Sequence, residues 1–455
     1  MSDANTISRG NPLWRLSKKF QYAADRLIPD SFVFCLILTF LVFVLGIIFT
    51  GTSPLKMVNF WFDGFWTQAT FAFQMTLMVV TCATTAKSRQ VAKAMDSLAR
   101  MVRSPGAAMV LLMIFGYFSS FLNWAFCTIV TPILAMRLAK NIKGLHFPMM
   151  VAAGYSTMVL GQCLGPSASV YALLATKGHF LEGKIGVMTQ AVTTYNPMNV
   201  VLWVILAAIT IILSVYTRPP REEVVEFSNV LDEIPEDIAE AKDSLADRLN
   251  GSKICMWIIG AAGLVVIAAS FFNKGFLGSL SVNFIIFLFT IANCFLYNSP
   301  RKFITAYKEN IFLATDVMIQ FPFYGGIAQM MSSSGFAAVV VSGIVSISSA
   351  QSIPVWSYVS ACIVNMFIPS QGGQWIVQGP LLVDATQQLG GSISNVVNAF
   401  VYGDEATNLL QPLYLIPALA VVNMKLKEVW GYCAYLCLFW FVITGFGLYY
   451  IPMFV

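Results

Sequence analysis

Apolar residues fall along this chain in long runs parted by short polar stretches. At 1.5 Å per residue, about 20 residues cross about 30 Å of hydrocarbon. Nine runs have about that reach: 31–50, 65–86, 147–170, 199–217, 254–272, 278–297, 311–331, 395–420 and 431–452. They predict an all-α polytopic membrane protein with about nine transmembrane helices. Two further apolar stretches, 105–138 and 354–389, are interrupted midway by polar residues, Gly or Pro. Each predicts a re-entrant hairpin. The long polar segment 218–253 holds ten of the 22 acidic residues and predicts a solvated, partly helical cytoplasmic linker.

Lysine and arginine set the orientation. With the N-terminus cytoplasmic and both hairpins returning to their side of entry, 23 of the 27 basic residues face the cytoplasm. Only Lys56, Lys177, Lys184 and Lys274 fall outside, a strong positive-inside bias. Three signatures recur in order at nearly one spacing. Gln74 and Gln320 lie 246 apart, Asn123 and Asn365 242 apart, and Tyr155 with Gly165-Pro166 matches Tyr402 with Gln411-Pro412 at 247 and 246. Such a repeat predicts two related halves. The odd span between them starts the second half on the opposite face, which makes the repeat inverted, the plan of secondary transporters. The predicted organisation is a cytoplasmic amphipathic N-terminus (1–30), a first repeat (31–217) with hairpin 105–138, the linker (218–253), a connecting helix (254–272) and a second repeat (278–455) with hairpin 354–389.

Composition supports lipid as the solvent: 57% of residues are hydrophobic and 11% charged, against about 45–50% and about 25% in soluble domains. The nine cysteines include no C-x-x-C pair and read as small buried hydrophobes. No cleavable signal peptide is expected, because residues 1–30 are polar and basic. The net charge of +5 says little about nucleic acid, since the basic residues lie between spans, and no nucleic-acid partner is expected. His146 and His179 read as solvated loop residues, which leaves a His-based catalytic or metal site without support. Trp61, Phe62, Phe65 and Trp66 read as interfacial anchors.

Broken helices inside a bilayer need a reason, because each unpaired backbone group costs several kcal/mol there. The first hairpin turns near Asn123-Trp124. The second turns across Asn365 to Gln374, where Pro369-Ser370-Gln371-Gly372-Gly373 cannot continue a helix and frees backbone donors and acceptors. Two spans are broken in matching places, at Gly161-Gln162-Cys163-Leu164-Gly165-Pro166 and after Tyr402-Gly403-Asp404-Glu405, through Asn408 to Gln411-Pro412. Positive helix N-termini and negative carbonyl ends would then surround one central site for an anion and a cation. Besides Asp63 near an interface, the apolar segments hold only Asp316, Asp384, Asp404 and Glu405 as acids. An intramembrane carboxylate is costly and marks function. Asp404 or Glu405 is assigned to coupling of a cation or proton, Asp316 to an interface, and Asp384 either to the site or to an exposed rim.

These phrases carry a resemblance. Asp63-Gly-Phe-Trp66, Leu122-Asn-Trp124, Gln320-Phe-Pro-Phe-Tyr324, Pro369-Ser-Gln-Gly-Gly-Gln-Trp375 running on to Gln378-Gly-Pro380, Tyr402-Gly403, Gln411-Pro412 and Gly431-Tyr-Cys433 resemble the short-chain fatty acid transporter family. That family includes bacterial acetoacetate and butyrate carriers, and is similar to a wider group of ion-coupled carboxylate transporters. The resemblance implies a multi-pass protein of the bacterial inner membrane that moves a small carboxylate by symport. It places Asn123 and Asn365 at the hairpin tips, and Ser370, Gln371, Gly372 and Gly373 beside the substrate. Where the family leads one to expect Gly-Glu-Gln, this chain has Gly403-Asp404-Glu405, an added acid. No cofactor is implied beyond Na+ or H+ as the coupling ion, and carriers of this layout often form homodimers through their non-hairpin spans. A carrier of another small metabolite, such as a dicarboxylate or amino acid, is the alternative; no Arg or Lys lies in the core to hold a second carboxylate. A membrane enzyme or receptor is the least supported reading.

Overall fold

A computed structural model describes residues 10–27, 29, 31–67, 69–122, 124–165, 168–175, 177–227, 244–279 and 281–455. Asn123, Pro166 and residues 228–243 of the linker lie outside the described residues. Every regular element among those described is helical. Five helices are long and apolar enough to cross a membrane: Phe32–Thr50, Pro54–Lys87, Pro197–Tyr216, Leu245–Phe276 and Leu426–Met453. A bent pair, Pro300–Ala314 and Met318–Ser333, makes a sixth if it counts as one span.

That is fewer than the nine spans expected, for a physical reason. Phe147–Gln162, Val282–Tyr297 and Ile393–Asn408 have 16 residues each, about 24 Å of helix. The first and third stop where the Gly and Pro breaks stand. The second starts only after Ser281, whose hydroxyl accepts from the Phe284 N–H as an N-cap. The run expected at 65–86 extends the other way. Its helix Ala69–Lys87 is preceded by Pro54–Thr67, which opens at a residue preorganised for a first helical turn.

The shortened helices form the centre. All sixteen residues of Phe147–Gln162 are buried, and fourteen of the sixteen in Ile393–Asn408, as expected of helices surrounded by protein rather than lipid. The first interrupted stretch supplies Pro105–Leu122 and Trp124–Asn141, both packed on Phe147–Gln162; from the second, Ile353–Asn365 packs on Ile393–Asn408, with Gln371–Leu389 alongside. By contrast, Phe32–Thr50 and Leu245–Phe276 bury only 22% of their most apolar windows. A second group of helices packs around Thr315–Ser333. Pro54–Thr67 lies so close to it that a Cβ on Gly64 would collide with the Gly325 carbonyl. Trp61 and Phe65 turn inward onto Phe323, while Phe62 and Trp66 stay exposed.

The N-terminal helix Pro12–Leu27 lies along Leu426–Tyr450, and Gln21 Nε2 donates to the Lys427 carbonyl at 2.6 Å. Its Trp14 is buried against His146 and Tyr432. This corrects the reading of the histidines as solvated. His146 and His179 are each only 7% exposed. His146 Nδ1 accepts from the Val225 N–H at 3.1 Å, so its Nε2 carries the proton and donates to the Tyr432 hydroxyl at 2.7 Å. Burial, with Lys18 nearby, pushes the His146 pKa down to about 3. His179 instead meets the Gly186 carbonyl at 2.9 Å.

Candidate functional site

The turn of the second interrupted stretch, here called the tip, begins where Ile353–Asn365 ends. Pro369 and Ser370 cannot carry the helix on, and the chain re-enters a helix at Gln371 with Ser370 as N-cap, its hydroxyl accepting from the Gly373 N–H at 3.4 Å. The first turn of Gln371–Leu389 therefore presents its uncommitted N–H groups at the tip. The Pro369 carbonyl accepts from the Tyr414 hydroxyl at 2.8 Å, which fixes the tip to the turn beyond the second broken span.

That span runs as Ile393–Asn408 and resumes as Ile416–Val422. In the break, Gln411 Oε1 accepts from the Leu413 N–H at 2.7 Å, and the Pro412 carbonyl accepts from Leu415 and Ile416 at 3.0 Å each. The first broken span runs as Phe147–Gln162 and resumes as Ser169–Leu174, with the Gly165 carbonyl accepting from the Ala168 N–H at 3.1 Å. Pro166 lies outside the described residues, so the break is defined here by Gly165.

Between these parts lies a cavity of about 140 Å³, lined by Trp124, Met158, Gln162, Ser169, Ser370, Gln371, Gly372, Asp404, Glu405, Asn408 and Tyr414. Asp404 and Glu405 are 1% and 4% exposed. Glu405 accepts from Gln371 Nε2 at 3.2 Å and from Asn408 Nδ2 at 3.1 Å. Gln371 Oε1 in turn accepts from the Val170 N–H at 3.0 Å, so one amide ties the tip to both broken spans. Asp404 Oδ1 and Gln162 Nε2 are buried without a hydrogen-bond partner among the described residues. One is an acceptor suited to a cation or proton, the other a donor suited to an anion. No lysine or arginine lines the cavity.

The structure thus brings together Ser370, Gln371, Gly372, Asp404, Glu405 and Asn408. Asn365 stands one layer behind. Its Nδ2 donates to the Asp404 carbonyl at 2.5 Å, Asn408 Oδ1 at 2.9 Å and Thr407 Oγ1 at 3.0 Å. Gly373 faces the opposite flank of the tip. Asn123 lies outside the described residues, between the arms Pro105–Leu122 and Trp124–Asn141. Asp384 is removed from the site: it sits on an exposed rim, 2.5 Å from Lys184. The side chain of Asp316 is outside the described residues. Sequence reasoning did not single out Gln162, Tyr414, Met158 or Ser169. For Gln162 a signal existed, since it precedes Asn408 by the same 246 residues that separate Gln74 from Gln320.

A family model for short chain fatty acid transporters matches residues 12–451. A protein of Escherichia coli strain K12 assigned by name to short-chain fatty acid transport is 29% identical over 442 residues, 95% of this chain and 99% of that one. One of the same name from Haemophilus influenzae is 27% identical over 448 residues, 96% of this chain and 99% of that one. The crystal structure of the Alcanivorax borkumensis YdaH transporter superposes with a TM-score of 0.44 at 16% identity, covering 96% of this chain and 98% of that one. The proteins matched are transporters and not enzymes.

Proposed function

We propose, from the premise that this chain belongs to the short-chain fatty acid transporter family, that it is a symporter. It moves a small monocarboxylate such as acetoacetate or butyrate across the bacterial inner membrane together with Na+ or H+, its N-terminus in the cytoplasm. One observation carries this reading: a buried cavity in which two adjacent carboxylates meet the first turn of a hairpin helix and an unpaired amide donor, with no basic side chain.

The chemistry follows from charge. An anion entering a low-dielectric site beside Asp404 and Glu405 is repelled unless cations or protons arrive with it. The acids hold the positive partner; the tip N–H groups at Gln371 and Gly372, with Gln162, receive the substrate carboxylate. Occupancy by one thus favours the other, which is the physical basis of coupling. The lack of a cationic side chain for a second carboxylate favours monocarboxylates over dicarboxylates. The hairpins and the inverted repeat belong to the same proposal, supported by the matched order of Gln74, Asn123 and Tyr155 with Gln320, Asn365 and Tyr402.

The test is uptake of labelled butyrate, acetoacetate and succinate into proteoliposomes, with sodium and pH gradients imposed separately. Accumulation of the two monocarboxylates driven by one of the gradients is expected. Accumulation of succinate alone, or uptake indifferent to both gradients, would overturn the proposal.

A further inference from the structure

A second cavity, of about 360 Å³, lies on the other flank of the hairpin tip. Its apolar walls come from three places: Phe321 and Tyr324 on Thr315–Ser333, Ile368 and Val377 on the hairpin, and Leu413 in the turn after the broken span. Phe321, Tyr324, Ile368 and Leu413 are each 3% exposed or less, and no charged residue lines the space. Gln329 and Ser332 give it a polar edge.

Ser370 lines both cavities. Neighbouring residues alternate between them: Gly372 lines the polar cavity and Gly373 the apolar one, Tyr414 the polar and Leu413 the apolar. The tip is therefore the boundary between a compartment of amides and carboxylates and one of hydrocarbon. The polar cavity, at about 140 Å³, falls below the range of about 300–1,000 Å³ common to ligand pockets, and the apolar one falls within it. A monocarboxylate has the matching asymmetry, a head that must be hydrogen-bonded and a tail that gains from leaving water.

We infer that the apolar cavity is the acyl-chain subsite: the carboxylate sits on the Gln371–Gly372 side, and the chain passes Ser370 to lie among Phe321, Tyr324, Ile368, Val377 and Leu413. This rests on the carboxylate reading of the polar cavity proposed above. It makes chain-length preference a property of the surface that Thr315–Ser333 presents to the hairpin. It also makes substrate a bridge between the two groups of helices. Each methylene that fits is worth about fourfold in kcat/KM.

Uptake kinetics of acetate, butyrate and hexanoate in proteoliposomes decide the matter. In the wild type, kcat/KM should rise about fourfold per methylene from acetate to butyrate. Val377→Phe, which fills the cavity, should lower the butyrate-to-acetate ratio at least tenfold. Leu413→Ala, which enlarges it, should raise the hexanoate-to-butyrate ratio, and serves alone if the first variant does not insert. Gln371→Ala should depress all three acids by a common factor. Chain-length ratios unchanged by both cavity variants would overturn the subsite and leave the carboxylate site standing. A wild type that transports none of the three acids would overturn the carboxylate reading and the subsite with it.

Discussion

Asn365 shows how little slack the site has at the scale of single residues. One amide nitrogen with two hydrogens serves three acceptors, on Asp404, Thr407 and Asn408. Asn365→Ala strands those acceptors in a dry interior, at a cost of about 1–3 kcal/mol. Uptake should fall at least tenfold with insertion preserved and the melting temperature lowered; wild-type kinetics in the variant would reduce the residue to a turn former. Asp404 and Glu405 test coupling. Two adjacent acids in a site of low dielectric are not both ionised without a cation at hand. Asp404→Asn or Glu405→Gln should therefore flatten the dependence of uptake on the driving ion while counterflow exchange partly survives. A full response to sodium and to pH in both variants would place the ion elsewhere. The acids and the tip were legible in the sequence, because charge inside an apolar run and Pro-Ser-Gln-Gly-Gly inside a helix each break a local rule. Gln162, Met158 and Tyr414 break none. Neutral side chains are ordinary in such spans, and only tertiary packing makes these three line the cavity.

Among the elements, a carbonyl beside each break accepts from a tryptophan. Trp203 Nε1 donates to the Leu160 carbonyl at 2.9 Å, and Trp430 Nε1 to the Leu410 carbonyl at 2.7 Å. In each case the next long helix, Pro197–Tyr216 or Leu426–Tyr450, supplies the donor. Trp430→Phe keeps the ring and removes the donor, so thermal stability in detergent should fall by about 1–3 kcal/mol; an unchanged melting curve would mean that the carbonyl finds another donor. The docking of Pro12–Leu27 carries a pH signature. His146 is neutral in the fold, with its pKa lowered from 6.5 to about 3. The unfolded chain thus binds the extra proton first, and stability is lost as pH falls from about 6.5 towards about 3, by at most about 1.4 kcal/mol per pH unit. Melting temperatures between pH 7.5 and 4.5 should drop less steeply in His146→Asn than in the wild type. Equal slopes would count against the buried neutral histidine. Sequence reasoning put His146 in a solvated loop because it falls between two apolar runs, near an interface. The cover comes from residues far away, Trp14, Val225 and Tyr432, which no local pattern connects.

For the whole molecule, orientation is the first thing to establish. With the exposed Cys255 replaced by Ser, a cysteine at Arg221 should be shielded from an impermeant reagent in intact cells. One at Ala350, in the exposed connection before the second hairpin, should be labelled. Labelling of Arg221→Cys from outside would reverse the proposed topology and remove the basis of the inverted repeat. Long apolar runs and the lysine–arginine bias made the polytopic class legible. The number of full crossings was not, since a run of given length reads the same whether it forms one helix or two short ones around a break. The bare cavity, with two acids and no basic residue, also has an electrical consequence. A loaded site that is neutral overall needs three cations or protons for one monoanion and two carboxylates. If all three leave on each turn, two net charges cross per substrate; if one proton stays behind, a single charge crosses; if two stay, the cycle is silent to voltage. Each net charge is worth about 2.3 kcal/mol per 100 mV, or about fiftyfold in accumulation. Currents from a supported membrane, read at their reversal potential, would thus count the protons that never leave Asp404 and Glu405.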